Sequence, residues 1–213
     1  MNQLITPGDH SLTLNGVIGP LEANILVPDK VNSSYIALLG HPHSLQGGTM
    51  HNKVVTILAR TFKEMGISSV RFNFRGVGQS AGSYDAGIGE SQDMLAIVQQ
   101  LTPYLPGVKW CFAGFSFGSY VAYRAAAQAN AHVLVTVAPP VHRYDYKAFS
   151  PKPLPWIVVQ GDKDEVVPVD EVLAFATAEQ LPVLQFPETG HFFHGQLLPL
   201  KARLLEALAE VLR

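Results

Sequence analysis

Cysteine is nearly absent. The one residue, Cys111, stands inside an apolar run, so no internal disulfide can form and its expected role is that of a small core side chain, not a reactive thiol. Charge is sparse as well: 15 lysines and arginines face 17 aspartates and glutamates, a formal net charge of −2 with no basic cluster. That balance gives no electrostatic reason to expect nucleic acid or an anionic membrane as partner. No segment approaches the ~20 apolar residues of a membrane span. Met1 to His10 lack a basic start followed by a continuous apolar stretch, so a cytoplasmic protein is expected. No internal repeat, linker or low-complexity segment appears, and with 47% hydrophobic residues in 213 one core accounts for the chain. A single domain over residues 1–213 is expected; the oligomeric state is not legible.

What is present is a regular alternation of strand and helix patterns. Ser11–Gly16 and Leu21–Val27 alternate apolar with polar residues across Val17-Ile18-Gly19-Pro20, which predicts an antiparallel hairpin at one edge of a sheet. Tyr35–Leu39, Ser69–Phe74, Lys109–Ala113, Val133–Val137, Trp156–Gln160 and Val183–Phe186 read as strands, most of them continuous apolar runs buried on both faces. Helical spacing recurs over His51–Met65, Glu90–Leu101, Ser119–Gln128, Val169–Glu179 and Leu198–Arg213. The last carries Leu204, Leu205, Leu208, Val211 and Leu212 on one face against Lys201, Arg203, Glu206 and Glu210, which predicts docking on the sheet in preference to a membrane surface. The class is α/β: a mostly parallel central sheet with an antiparallel N-terminal edge and helices on both faces.

Gly114-Phe115-Ser116-Phe117-Gly118 lies where a strand passes into a helix. Glycines two places to either side of Ser116 permit a strained turn that lifts its hydroxyl to the sheet's carboxyl edge. A helix N-cap is the competing role for that serine. A serine nucleophile needs a histidine to take its proton and a carboxylate to orient the ring, and both types follow downstream at strand ends. Gly161-Asp162-Lys163-Asp164-Glu165-Val166-Val167-Pro168 supplies Asp162 or Asp164, with Glu165 read as a solvated neighbour. Thr189-Gly190-His191-Phe192-Phe193-His194-Gly195 supplies His191 or His194. A metal site built from His41, His43, His51, His191 and His194 is the alternative chemistry; the expectation is no metal and no cofactor. Gly76-Val77-Gly78-Gln79-Ser80-Ala81-Gly82 has the wrong spacing for a dinucleotide loop and opens no helix, so its glycines are read as turn residues. Phe115, Phe117, Phe192, Phe193, Tyr84 and Tyr144 are candidates for an apolar pocket or for packing.

The elbow, the acidic turn ending in Val-Pro and the Gly-His loop, in that order, resemble the α/β-hydrolase superfamily over nearly the whole chain. With His41-Pro42-His43-Ser44-Leu45-Gln46-Gly47-Gly48-Thr49-Met50 and Arg71-Phe72-Asn73-Phe74-Arg75-Gly76-Val77-Gly78-Gln79-Ser80, the chain is similar to a group of small, lidless members described as predicted hydrolases. The resemblance implies Ser116 as nucleophile, His191 as base and Asp164 as the orienting acid. It also implies an oxyanion hole made by the backbone amides of Phe117 and His43, although Pro42 stands where relatives carry glycine. Only Pro139–Pro155 separates two strands where larger relatives insert a helical cap, so no cap domain is expected. The implied substrate is a small-molecule ester or thioester, cleaved through an acyl-enzyme. A binding scaffold of the same fold, or an acyltransferase or peptidase, is the alternative.

Overall fold

The computed structural model describes residues 4–212. The reading of the extreme N-terminus as leaderless rests partly on residues 1–3, and the expected helix end on Arg213; these lie outside the described residues. Eight strands form one sheet: β1 Gly8–Asn15, β2 Pro20–Val27, β3 Tyr35–Gly40, β4 Ser68–Phe72, β5 Lys109–Phe115, β6 Val133–Val137, β7 Trp156–Gly161 and β8 Val183–Phe186. Their order is β1-β2-β4-β3-β5-β6-β7-β8; β1 and β2 pair antiparallel, β2 meets β4 antiparallel, and every later pair is parallel. Burial follows position. β1 keeps one face in solvent and so alternates, whereas every residue of β3, β4, β6 and β7 is buried, because helices cover both faces of a parallel sheet.

Among the described residues four α-helices connect strands, α1 Lys53–Glu64, α2 Ile88–Leu101, α3 Phe117–Gln128 and α4 Val169–Ala178, and a fifth, α5 Leu197–Val211, follows β8. The pleat divides the core in two. Ile36 and Leu38 of β3 face the layer of α2, α3 and α4, with Met94, Val121 and Val172, while Ala37 and Leu39 face α1 and α5, with Leu58, Phe62 and Leu204. α1 begins at Lys53 because the Asn52 side chain accepts from the Val54 N–H at 2.9 Å, a helix cap. Among the described residues no helix is long and apolar enough to cross a membrane.

One close approach fixes the centre. Gly40 and Gly114 lie side by side on β3 and β5, and α3 rests on both. A Cβ on Gly114 would stand 2.1 Å from the Gly118 carbonyl oxygen, and one on Gly118 would stand 2.4 Å from the Gly40 carbonyl. Side chains there would push the helix N-terminus off the sheet, and with it the turn carrying Ser116.

Candidate active site

Ser116 sits between the end of β5 and the start of α3 with φ 53° and ψ −125°. A non-glycine residue in this region costs about 1–3 kcal/mol and persists only where its surroundings impose it. Here they do. The Ser116 N–H donates to Val137 O on β6 at 2.8 Å, and its carbonyl accepts from the Ser119 N–H at 2.8 Å and the Ser119 hydroxyl at 2.6 Å. The Ser119 oxygen in turn lies 2.7 Å from the buried Tyr146 hydroxyl. Ser116 occupies the N-cap position of α3, yet its side chain makes no capping hydrogen bond. Its Oγ lies instead 3.1 Å from His191 Nε2, which removes the cap as the explanation for this serine.

His191 is delivered by the loop after β8. Its Nδ1 stands 2.9 Å from Asp164 Oδ2 and 3.1 Å from Oδ1, so with Nδ1–H donating to the carboxylate, Nε2 is left as an acceptor facing the serine hydroxyl. The ring is held between Phe115 and Phe192, at centroid distances of 4.9 and 5.0 Å. Phe193, fully buried, anchors the loop against Phe186 from below. Both polar partners are shut from solvent, at 3% exposure for His191 and 0% for Asp164.

Asp164 comes from the turn after β7. Its Oδ1 accepts from the Val166 and Val167 N–H groups at 2.9 and 2.8 Å, and its Oδ2 from Gln160 Nε2 at 3.1 Å. Burial pushes its carboxyl upward, but the hydrogen bonds from His191, Val167 and Val166 outweigh it and hold the group below the ordinary aspartate value. Asp162 points elsewhere: it is exposed and accepts from the Thr189 N–H at 3.3 Å, tying the acidic turn to the histidine loop. Glu165 is not the purely solvated neighbour expected from sequence, because its Oε2 accepts the His191 backbone N–H at 3.2 Å. His194 is exposed and lies outside the cluster, against Phe192.

The loop after β3 supplies the opposite wall. His41 is fully buried, with Nδ1 2.7 Å from Pro42 O and Nε2 accepting from the Phe74 N–H at 2.8 Å. Burial lowers its pKa to about 4, so the ring is neutral and joins the ends of β3 and β4. His43 follows, its ring packed on Phe117 and Tyr84 at 5.0 and 4.8 Å. Among the described residues neither the His43 N–H nor the Phe117 N–H meets a protein acceptor. The Phe117 amide also opens α3, where the helix dipole favours negative charge. The five histidines weighed as metal ligands do not converge, and no group of three His, Cys, Asp or Glu side chains among the described residues is placed to hold a metal ion.

A narrow cleft of about 20 Å³ opens over Ser116, lined by His43, Gln46, Phe117, Pro140, His142, Arg143 and Tyr144, with Val166 and Val167. Of the aromatic candidates, Phe117 and Tyr144 line it. Phe115 and Phe193 are buried in the core, and Phe192 stands half exposed. Larger depressions lie elsewhere, including one between Pro28–Asn32 and Lys63–Gly66 that contains none of these residues. Gln160, the bond made by Glu165, and the wall residues Pro140, His142 and Arg143 were not singled out from sequence. A glutamine ending the otherwise apolar Trp156-Ile157-Val158-Val159 run was the available signal for the first, since a buried amide needs partners.

The fold is similar to those of known proteins. A serine hydrolase of Xanthomonas campestris, described as an α/β member without lid, superimposes with a TM-score of 0.91 at 41% identity, covering 97% of this chain and 96% of that one. An α/β serine hydrolase homologue from Coxiella burnetii gives a TM-score of 0.90 at 39% identity over 96% of this chain and 99% of that one. By sequence, an uncharacterized protein of Rickettsia prowazekii is 36% identical over 163 residues, which are 74% of this chain and 68% of its own length. No family model matches the chain.

Proposed function

The chain belongs to the α/β serine hydrolases without a lid, and from that premise we propose that it cleaves a carboxylic ester or thioester through a covalent acyl-enzyme. The observation that carries the reading is the relay from the Ser116 hydroxyl to His191 Nε2 at 3.1 Å and from His191 Nδ1 to Asp164 at 2.9 Å, mounted on a strained turn. As Ser116 Oγ attacks the carbonyl carbon, His191 takes its proton, and Asp164 holds the imidazolium that forms. The carbonyl oxygen becomes an alkoxide received by the Phe117 and His43 amides. Each such donor is worth about 3–4 kcal/mol in the transition state. His191 then protonates the leaving alcohol or thiol, and the same base draws a proton from water to release the acid.

A fluorophosphonate probe together with three variants tests this. Wild type should be labelled and should turn over a short p-nitrophenyl ester. Ser116→Ala should lose both properties while keeping its circular dichroism, because deleting one hydroxyl removes the nucleophile with little loss of packing. His191→Ala should be comparably inactive, whereas His194→Ala, where the ring is exposed against Phe192 and outside the cluster, should stay close to wild type. Labelling of Ser116→Ala at the wild-type level would refute the mechanism, and equal losses in the two histidine variants would refute the assignment of the base. A wild-type chain that is neither labelled nor active would point to a binding scaffold.

A further inference from the structure

β6 ends in a sharp reversal. Ala138 is buried with φ 48°, and the next residues close a turn in which the Val141 N–H bonds Pro139 O at 2.8 Å and the Arg143 N–H bonds Pro140 O at 3.0 Å. The turn brings His142, Arg143 and Tyr144 to the wall of the cleft above Ser116. Among the side chains lining that cleft, only Arg143 carries a permanent charge, and no carboxylate lines it.

Arg143 has no ion-pair partner among the described residues. The acids around the cleft are committed elsewhere: Asp164 to His191, Glu165 to the His191 N–H, Glu90, fully buried, to the Asp85 and Gly87 amides, and the exposed Asp145 to the Lys147 amide. Glu171 lies close enough for its charge to be felt at His142, yet it makes no bond to the guanidinium. Arg143 is exposed and makes one side-chain hydrogen bond among the described residues, Nε donating to His142 Nε2 at 3.0 Å. Burial and the neighbouring Arg143 charge both disfavour protonation of His142, so the ring remains an acceptor at neutral pH. A guanidinium tethered at Nε keeps its terminal N–H groups for a planar anion.

We propose that Arg143, oriented by His142, is an anion-recognition site of the cleft, and that the preferred substrate is an ester bearing a carboxylate remote from the bond that is cleaved. This rests on the hydrolytic reading above and narrows its substrate class. Arg143 is here a specificity-determining residue, and His142 acts through it as a positioning residue.

The test compares the p-nitrophenyl monoester of glutaric acid with the same compound whose free carboxyl is converted to a primary amide, a neutral group of similar size. The quantity read is the ratio of the two kcat/KM values, which cancels any general loss of active protein. Wild type should favour the anion by about tenfold or more, as expected for a charge-assisted pair. Arg143→Gln should bring the ratio near unity, with Arg143→Lys between. Raising sodium chloride from about 20 mM to about 500 mM should lower the wild-type ratio, because the pair is open to solvent screening. A wild-type ratio near unity with both compounds turned over, or a preference that survives in Arg143→Gln, overturns this inference alone. Turnover of neither compound overturns it together with the hydrolytic reading.

Discussion

Replacing Asp164 by asparagine tests the proposed mechanism at its most constrained point. The two carboxylate oxygens receive donors from four residues: Val166 and Val167 amides on Oδ1, Gln160 Nε2 on Oδ2, and His191 Nδ1 on both. An asparagine must give one of those positions to an NH₂ group. The two backbone amides cannot move without breaking the turn, so the oxygen stays at Oδ1 and the NH₂ occupies Oδ2. There it confronts Gln160 Nε2 and His191 Nδ1–H, donor against donor. Gln160 can adapt by flipping its amide so that Oε1, now buried without a partner, accepts, at the loss of the 3.2 Å bond its Nε2 donates to Gly161 O. His191 must either lean on the longer 3.1 Å contact to Oδ1, without a carboxylate to stabilise its cation, or exchange tautomer, which turns Nε2 into a donor toward Ser116 and abolishes the base. The same substitution in a well-studied Ser-His-Asp enzyme lowers kcat about 10⁴-fold, or about 5.5 kcal/mol in the barrier. Initial rates on a short p-nitrophenyl ester, with urea unfolding as control, should show a loss of that order with stability changed far less. Asp162→Asn, whose carboxylate bonds only the Thr189 amide, should act mainly on stability. A kcat for Asp164→Asn within tenfold of wild type, or a larger loss in Asp162→Asn, would refute the reasoning.

Two further outcomes follow from the same geometry. His41 titrates at about 4 in the folded chain against an ordinary 6.5, so between those values the unfolded chain binds the extra proton. Its contribution to stability is therefore complete above pH 6.5 and declines as pH falls, the loss ending below the folded value of about 4 and reaching about 3 kcal/mol. Urea midpoints across that window should fall, and His41→Gln should flatten the slope; an unchanged slope would show that the ring is not what titrates. Acyl-chain length should matter only briefly in an uncapped cleft. Each methylene gains about 0.8 kcal/mol while it is buried and nothing once it reaches solvent, so kcat/KM should rise over the first few carbons and then level, with no jump across the substrate's solubility limit. A steady climb to long chains, or activation at the emulsion, would reveal a cover over Ser116.

The strands were legible because burial on both faces demands continuous apolar runs, and β3, β6 and β7 consist of little else. Boundaries moved where polar side chains intervene. β4 stops at Phe72, two residues before its apolar pattern does, because the Asn73 N–H bonds Glu22 O and the Phe74 N–H bonds His41 Nε2, outside the ladder. α2 starts at Ile88 instead of Glu90, and Glu90 caps it by reaching back to the Gly87 N–H at 2.8 Å. Ser116 and the order of acid and histidine could be read directly, since each ends a strand. Spacing alone could not choose Asp164 over Asp162, two places apart in one turn; the choice depends on which carboxylate faces a loop 27 residues away. Glu165 and Arg143 escaped for the same reason. Nothing local distinguishes a surface charge from one that meets a distant backbone amide or stands alone in a cleft.

The missing cap has a structural counterpart in how the chain uses the two segments that might have supplied one. Between β6 and β7, Tyr144 stacks on Tyr120 at 4.6 Å, Tyr146 packs on Tyr123 and Trp156 at 5.2 and 6.1 Å, and Phe149 lies 5.8 Å from Tyr123. These rings extend the core beneath the segment, and opening it would return them to water. The glycine-rich stretch from Gly76 to Gly89 is held just as firmly. The Gln79 N–H donates to Glu22 Oε2 at 3.0 Å, Ser80 Oγ donates to Asn73 O at 2.7 Å and accepts from the Glu22 N–H at 3.0 Å, the Ala81 N–H bonds Pro20 O at 2.8 Å, and the buried Glu90 carboxylate accepts from the Asp85 and Gly87 N–H groups at 2.8 Å each. Lifting the stretch would break these bonds and leave the buried Glu90 carboxylate without its donors, so it is tied down and not free to act as a lid. Selectivity then falls to side chains that line a cleft already formed, and the single permanent charge among them is that of Arg143.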